Sequence, residues 1–169
     1  MKIIETERLL LSEINESDAE FVLEILNEPG WIQNIGDRGV RTIEDARRYI
    51  VDKLAAGYER NGFGLYLVEL KETGASAGMC GLVKRDSLAD ADIGFAFLER
   101  FQSKGYAFES AAAVMDYARN KLGLKRILAI VAPGNRASIK LLEKLGLGFE
   151  RMIKMPGEDE EIKLFARHF

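Results

Sequence analysis

The sequence predicts a mixed α/β domain in which a strand–helix–strand–helix unit follows an antiparallel meander. Three observations predict it. Apolar segments at Phe63–Leu70, Ala77–Lys84 and Asp92–Leu98 are separated by short polar connections, the pattern of successive hairpins. From Gly105 to Leu122 the period changes, and Phe108, Ala111, Ala112, Met115, Ala118 and Leu122 fall at helical spacing. Ile127–Ala132 is then apolar without interruption, as suits a strand buried on both faces.

The remaining elements follow in order. Arg8–Ile14 reads as a leucine-rich strand. Ser17-Asp-Ala-Glu20 has a capping-box pattern, and Phe21, Val22, Ile25 and Leu26 follow on one helical face. That helix is expected to stop near Pro29-Gly30. Trp31–Val40 carries two glycines and no clear period, so it reads as a loop. Thr42-Ile-Glu-Asp45 opens a second helix, with Ala46, Tyr49, Ile50 and Leu54 inward and Gly57 near its end. The long helix carries Arg119 and Lys121 in its last turn and Gly123 just after it, as the dipole and C-cap favour. Pro133-Gly134 breaks the buried strand, Asn135 is placed to cap, and a short helix runs to Leu145. Strands near Phe149–Met155 and Ile162–His168, joined by the acidic Pro156–Glu161 connection, finish the chain.

Composition narrows the function. The 169 residues are 47% hydrophobic and 30% charged, so they suit one domain, residues 1–169, around one core. The net charge of −3 gives no attraction to nucleic acid or to an anionic membrane. One cysteine, Cys80, and one histidine, His168, supply neither a disulfide, a zinc site nor a Ser-His-Asp triad, so no metal is expected. Charges interrupt the first residues early and no apolar run approaches a membrane span. The expected location is the cytoplasm.

The chemistry concentrates in Phe95-Ala-Phe-Leu-Glu-Arg-Phe-Gln-Ser-Lys-Gly-Tyr-Ala-Phe-Glu109. A strand runs into a tight polar turn, and a long helix begins inside it. The first N–H groups of a helix lack internal partners and lie at the positive end of its dipole. Gly105 and Ala107 keep the turn narrow, so a phosphate can approach the backbone. The same strand, glycine turn and helix also occur as plain packing. A P-loop is excluded for want of G-x-x-x-x-G-K-[ST], and no G-x-G-x-x-G follows a strand.

Gln102-Ser-Lys-Gly105-Tyr-Ala107 resembles the Q/R-x-x-G-x-G/A acetyl-CoA loop of the GNAT N-acetyltransferases, and Asn135-Arg-Ala-Ser138 through Gly146 resembles their second motif. Thr6-Glu-Arg-Leu-Leu-Leu11 and Gly105-Tyr-Ala-x-Glu109 are similar to the ribosomal-protein-alanine acetyltransferase branch. The resemblance spans nearly the whole chain. It implies a twisted, mostly antiparallel sheet with helices on both faces, splayed between the strands near Ile93–Leu98 and Ile127–Ala132, with pantetheine in the opening. It implies further that the amides of Gln102, Ser103, Lys104, Gly105, Tyr106 and Ala107 hold the pyrophosphate. The backbone at Phe97 and Leu98 would pair with pantetheine, and a backbone N–H near Phe97 would polarise the thioester carbonyl. Asn135 would fix the pantetheine arm or merely cap its helix. Arg136, Lys140 and Lys144 make one cationic face, either for coenzyme phosphates or for solvent.

Many relatives carry a tyrosine acid where this chain has Leu142. Ser138, four residues earlier on the same face, is then the candidate partner of the leaving thiolate. Asp92, just before Ile93-Gly94, is the candidate for attracting the amine or accepting its proton. Glu109 reads as structural, Cys80 as inert core, and His168 as an ordinary strand residue. Leu145-Gly-Leu-Gly-Phe149 holds two residues more than relatives do, so a bulge is expected before the next strand. The Trp31–Val40 loop and the Pro156–Glu161 connection should flank the acceptor. Three functions stay open: acetylation of a protein or peptide α-amine, acetylation of a small amine such as a polyamine or aminoglycoside, and non-catalytic coenzyme A binding. A homodimer is an expectation from resemblance alone.

Overall fold

The computed structural model describes residues 1–169. Eight strands form one sheet: β1 (Lys2–Glu5), β2 (Leu9–Glu13), β3 (Leu65–Leu70), β4 (Ser76–Val83), β5 (Asp92–Phe97), β6 (Arg126–Val131), β7 (Gly148–Lys154) and β8 (Glu161–His168), in the order β1-β2-β3-β4-β5-β6-β8-β7. Every neighbouring pair is antiparallel except β5–β6, which is parallel. The parallel pair is joined by α5 (Tyr106–Asn120), because parallel strands need a long crossover.

Alternation along the strands feeds two large cores and a small third cluster of Leu88, Leu128, Leu164 and Ala166. Tyr66, Val68, Cys80, Leu82, Ile93, Ile127, Ala129 and Phe165 face α5 and α6 (Arg136–Lys144). Leu67, Met79 and Leu98 face the opposite layer, made by α1 (Ala19–Leu26), α2 (Pro29–Asn34) and α3 (Ile43–Tyr49). In α1, Phe21, Val22, Ile25 and Leu26 are all buried, and each such side chain contributes ~1.5–3 kcal/mol. No helix is long and apolar enough to cross a membrane.

Five local expectations need correction. β1 has no counterpart in the sequence pattern; four residues with charged ends give too little period to read. The first cap is Asn15, whose Oδ1 accepts from the Ser17 N–H at 2.9 Å while Asp18 returns a carboxylate to the Asn15 N–H at 3.0 Å. That reciprocal box starts a 3₁₀ turn at Glu16–Asp18, so the pattern at Ser17 and Glu20 is not the one used. The first helix does stop near Pro29, at Leu26 with Asn27 as its C-cap, but the proline opens another. It stands at the first position of α2, where its missing N–H is harmless, so Trp31–Asn34 is helical and only the rest of the predicted loop is irregular.

The second helix also outruns Gly57. α3 passes into a π-helical stretch, Ile50–Ala55, and then α4 (Ala56–Asn61), which Gly62 closes in the left-handed region. Thr42 and Asp45 do form the expected capping box at its start. The bulge expected before this strand is instead within it: β7 begins at Gly148, and its register against β8 slips between Phe149 and Arg151.

Candidate active site

The sheet is split at its one parallel contact. β5 and β6 share a single residue pair, Asp92 with Leu128, and the Leu128 N–H donates to Ala91 O at 2.9 Å. Beyond it the two strands make no further pairs. The Leu98 N–H donates to Ala77 O of the β4 side at 2.9 Å. Backbone groups alternate sides along an antiparallel ladder, so those of Phe95 and Phe97 turn away from β4, toward the opening. The Phe97 carbonyl accepts from Gln102 Nε2 at 2.9 Å, and its N–H is directed into the gap. Leu98 differs from its neighbour: its carbonyl accepts from the Phe101 N–H, so both its backbone groups are used within the protein, and its side chain is buried in the opposite core.

Below the opening lies the glycine turn. A 3₁₀ turn at Glu99–Phe101 leads to an extended Gln102, then Ser103 at φ +61° and Gly105 at φ +85°. Ser103 is the one non-glycine residue of the chain at positive φ, a conformation L-residues adopt at a penalty. The N–H groups of Ser103, Lys104, Gly105, Tyr106, Ala107 and Phe108 find no acceptor in the protein, and Gln102 through Gly105 are exposed. Six successive donors at the positive end of a fifteen-residue helix form an arrangement chemically suited to receive an anion.

The sequence shows two motifs whose contact it does not reveal. Glu109, one turn into α5, accepts from Thr6 Oγ1 at 2.6 Å, the Arg8 N–H at 3.0 Å and Arg8 Nε at 2.7 Å. Partial burial works to raise the Glu109 pKa, but the bonds from Thr6 and Arg8 together hold it below the usual carboxylate value. Arg8 also donates from Nη1 to Lys104 O at 3.2 Å and lies 4.6 Å from the centre of the Tyr106 ring. The structural role expected of Glu109 is thus tied to the turn between β1 and β2.

On the far side of the gap, Pro133-Gly134 ends β6 and Asn135 caps α6, its Oδ1 accepting from the Ser138 N–H at 3.3 Å. The cap uses only the carbonyl oxygen, which leaves the half-buried amide nitrogen without a protein partner. The Ser138 hydroxyl likewise bonds to nothing in the protein, and Leu142 is core, 2% exposed, so it offers nothing polar to a leaving group. Lys144 sits 4.1 Å from the Phe108 ring centre and thereby packs α6 against the start of α5, while Arg136 and Lys140 are exposed.

Asp92 begins β5 at the closed end of the split. It is 2% exposed and accepts from Arg85 Nε at 3.0 Å. Burial pushes its pKa up to about 6, and the charges of Arg85 and Lys84 hold it from rising further. Cys80 is fully buried and burial pushes its thiol up to about 12, so it is not a nucleophile at neutral pH. His168 is exposed at the end of β8. On the flanks, Trp31 is buried with its indole N–H unpaired, and Glu158, Asp159, Glu160 and Glu161 are exposed.

The family model of the acetyltransferase (GNAT) domain matches residues 8–148. The uncharacterized N-acetyltransferase YoaA of Bacillus subtilis is 30% identical over 154 residues, 90% of this chain and 86% of that one. The uncharacterized protein YkkB of the same organism is 36% identical over 95 residues, so the chain spans about half, 55%, of that relative's length. The ribosomal-protein-S5-alanine acetyltransferase of Vibrio fischeri shares the fold, with a TM-score of 0.80 at 20% identity over 99% of this chain and 96% of that one. A sheet split beside six unpaired amides, in a chain matched over most of its length by that family model, places this protein among the GNAT acetyltransferases, which transfer the acetyl group of acetyl-CoA to an amine.

Proposed function

We propose that this enzyme acetylates the α-amine of a protein or peptide, by direct attack of that amine on acetyl-CoA in a ternary complex. The observation that carries the reading is the continuity of the six unpaired amides with the gap between β5 and β6. In this reading the free amides from Ser103 to Phe108 hold the pyrophosphate, the Gln102 N–H being already donated to Glu99 O at 3.1 Å, and the pantetheine arm lies along β5, paired with Phe97 and steadied by Asn135. The neutral amine attacks the thioester carbon while the Phe97 N–H stabilises the developing oxyanion. The carbon–sulfur bond then breaks, the Ser138 hydroxyl donates a hydrogen bond to the departing thiolate, and the amine's surplus proton passes toward Asp92 through water. Leu98 plays no direct part in pairing, because its backbone groups are used within the protein. The α-amine is favoured because its ordinary pKa of ~8 asks far less of a base than the ~10.4 of lysine.

The discriminating experiment is acetyl-CoA-dependent thiol release across short peptides, polyamines and aminoglycosides, with mass spectrometry of the products. Turnover confined to peptide α-amines is expected. Turnover on the small amines instead would replace the acceptor class. Coenzyme binding with no turnover on any amine would leave a binding module.

The pH dependence tests Asp92. A base must be unprotonated, and burial has raised this carboxyl to about 6. Activity is therefore lost as pH falls through that value. On a peptide α-amine, kcat/KM should drop about tenfold per pH unit between ~8 and ~6, where only the amine protonates, and about 100-fold per unit below. Asp92→Asn should keep the shallow slope throughout. Arg85→Gln removes a cation that favours the carboxylate, so it should move the steep limb to higher pH. A steep limb that persists in Asp92→Asn assigns the base elsewhere.

A further inference from the structure

A loop with two left-handed residues has several backbone arrangements within reach, and only some turn its N–H groups outward together. The Lys104–Gly105 peptide is the vulnerable one, because a glycine on its C-terminal side rotates with little steric penalty. In a trans peptide the C=O and the following N–H point to opposite sides. Arg8 Nη1 donates to Lys104 O at 3.2 Å, so the Gly105 N–H is turned away from Arg8. A flipped peptide would present the Lys104 carbonyl oxygen to a phosphate, a repulsion where there should be a hydrogen bond.

Arg8 is itself fixed from three directions. Its Nε bonds Glu109, whose other oxygen takes the Thr6 hydroxyl and the Arg8 N–H, and its guanidinium faces the Tyr106 ring. A Cβ on Gly105 would stand 3.2 Å from Arg8 Nη2, so the glycine also makes room for this side chain. We propose that Arg8, locked by Glu109 and Thr6, is a positioning residue for the coenzyme pyrophosphate and acts by holding the Lys104–Gly105 peptide plane. The inference rests on the reading of this loop as the pyrophosphate site.

The test is calorimetric titration of the full chain with coenzyme A, alongside steady-state kinetics on an accepted amine. Arg8→Ala and Glu109→Gln should each raise the Kd about tenfold, the size expected for losing one well-made hydrogen bond. The amine's KM should stay near wild type. Arg8→Lys should not rescue, since one ammonium cannot reproduce the planar fork that reaches Glu109 and Lys104 O together. The double variant should be no weaker than either single one, because both break the same lock. Thermal unfolding of each variant establishes that it is folded. Full affinity in Arg8→Lys would mean that charge alone matters, and unchanged affinity in folded Glu109→Gln would remove the lock; either overturns the proposal. Wild type that fails to bind coenzyme A would defeat the loop assignment, whereas binding by wild type and variants alike would defeat only the role of Arg8.

Discussion

Gly105→Glu is expected to raise the Kd for acetyl-CoA at least ~100-fold while leaving a folded protein. Two effects act together. The position is left-handed at φ +85°, where a side chain adds ~1–3 kcal/mol of strain to the turn. The new carboxylate also stands among the six free amides, the place where an anion would be received. Two like charges 4 Å apart repel by ~4 kcal/mol at an effective dielectric of 20, and each 1.4 kcal/mol is about tenfold in affinity. Gly105→Ala separates the two, since it carries the strain without the charge and its Cβ meets only the movable end of Arg8, 3.2 Å away. It should lose stability and much less affinity. Calorimetric titration with acetyl-CoA, beside a thermal melt, reads both. Wild-type affinity in folded Gly105→Glu would show that the phosphates bind elsewhere.

Gly81→Ala should be the most destabilising single methyl in the chain. Gly81 pairs with Leu65 across β3–β4. Its Cβ would lie 2.0 Å from Gly64 O and 2.9 Å from both Gly64 C and Leu65 Cα. All three are backbone atoms, so no side chain can swing away. Relief requires the strands to part, and the Leu82 N–H bond to Gly64 O, 3.1 Å long, lies in the path. A loss of at least ~3 kcal/mol is expected, in the range kept for changes with a definite steric cause. At this chain length that lowers Tm by roughly 10 °C. Gly57→Ala is the matched comparison, for it sits inside α4 with nothing within 4 Å and should gain ~0.5–1 kcal/mol. A melt of Gly81→Ala within a degree or two of wild type would refute the packing described for this pair.

What the sequence reveals depends on how far apart the interacting residues lie. The long helix and the buried strand after it declare themselves through periodicity, and both stand within two residues of their predicted ends. The glycine turn is legible because loop chemistry is local: Gly105 opens the helix, and the amides around it follow from helix geometry. Asn135 is legible as a cap for the same reason. The lock on the turn is not, because Thr6 and Glu109 are 103 positions apart; nothing local in either segment names the other. The short helix after Pro29 is missed because six residues give too little period to read, and a proline that follows one helix and one that opens the next look alike in sequence. Past Gly57 the helix continues to Asn61, where Tyr58 stacks on Tyr66 of β3, a tertiary contact that outweighs one residue's low propensity. Nor does the strand pattern show that Leu98 spends both backbone groups internally while Phe97 keeps its N–H for the gap. That distinction depends on register, which a one-residue slip would reverse.

The order of the strands carries a consequence for the chain as a polymer. β1 to β5 pair strictly with their neighbours in sequence, so that half of the sheet can assemble in the order in which its residues are made. The other half cannot, because β8, which follows β7 in the chain, is inserted between β6 and β7. Until residues 161–168 arrive, β6 lacks its antiparallel partner and β7 lacks its only one. A protease cut or premature stop near Pro156 would therefore not trim an edge. It would withdraw an interior strand, leave two others unzipped, and expose the wall of β6 that closes one side of the split.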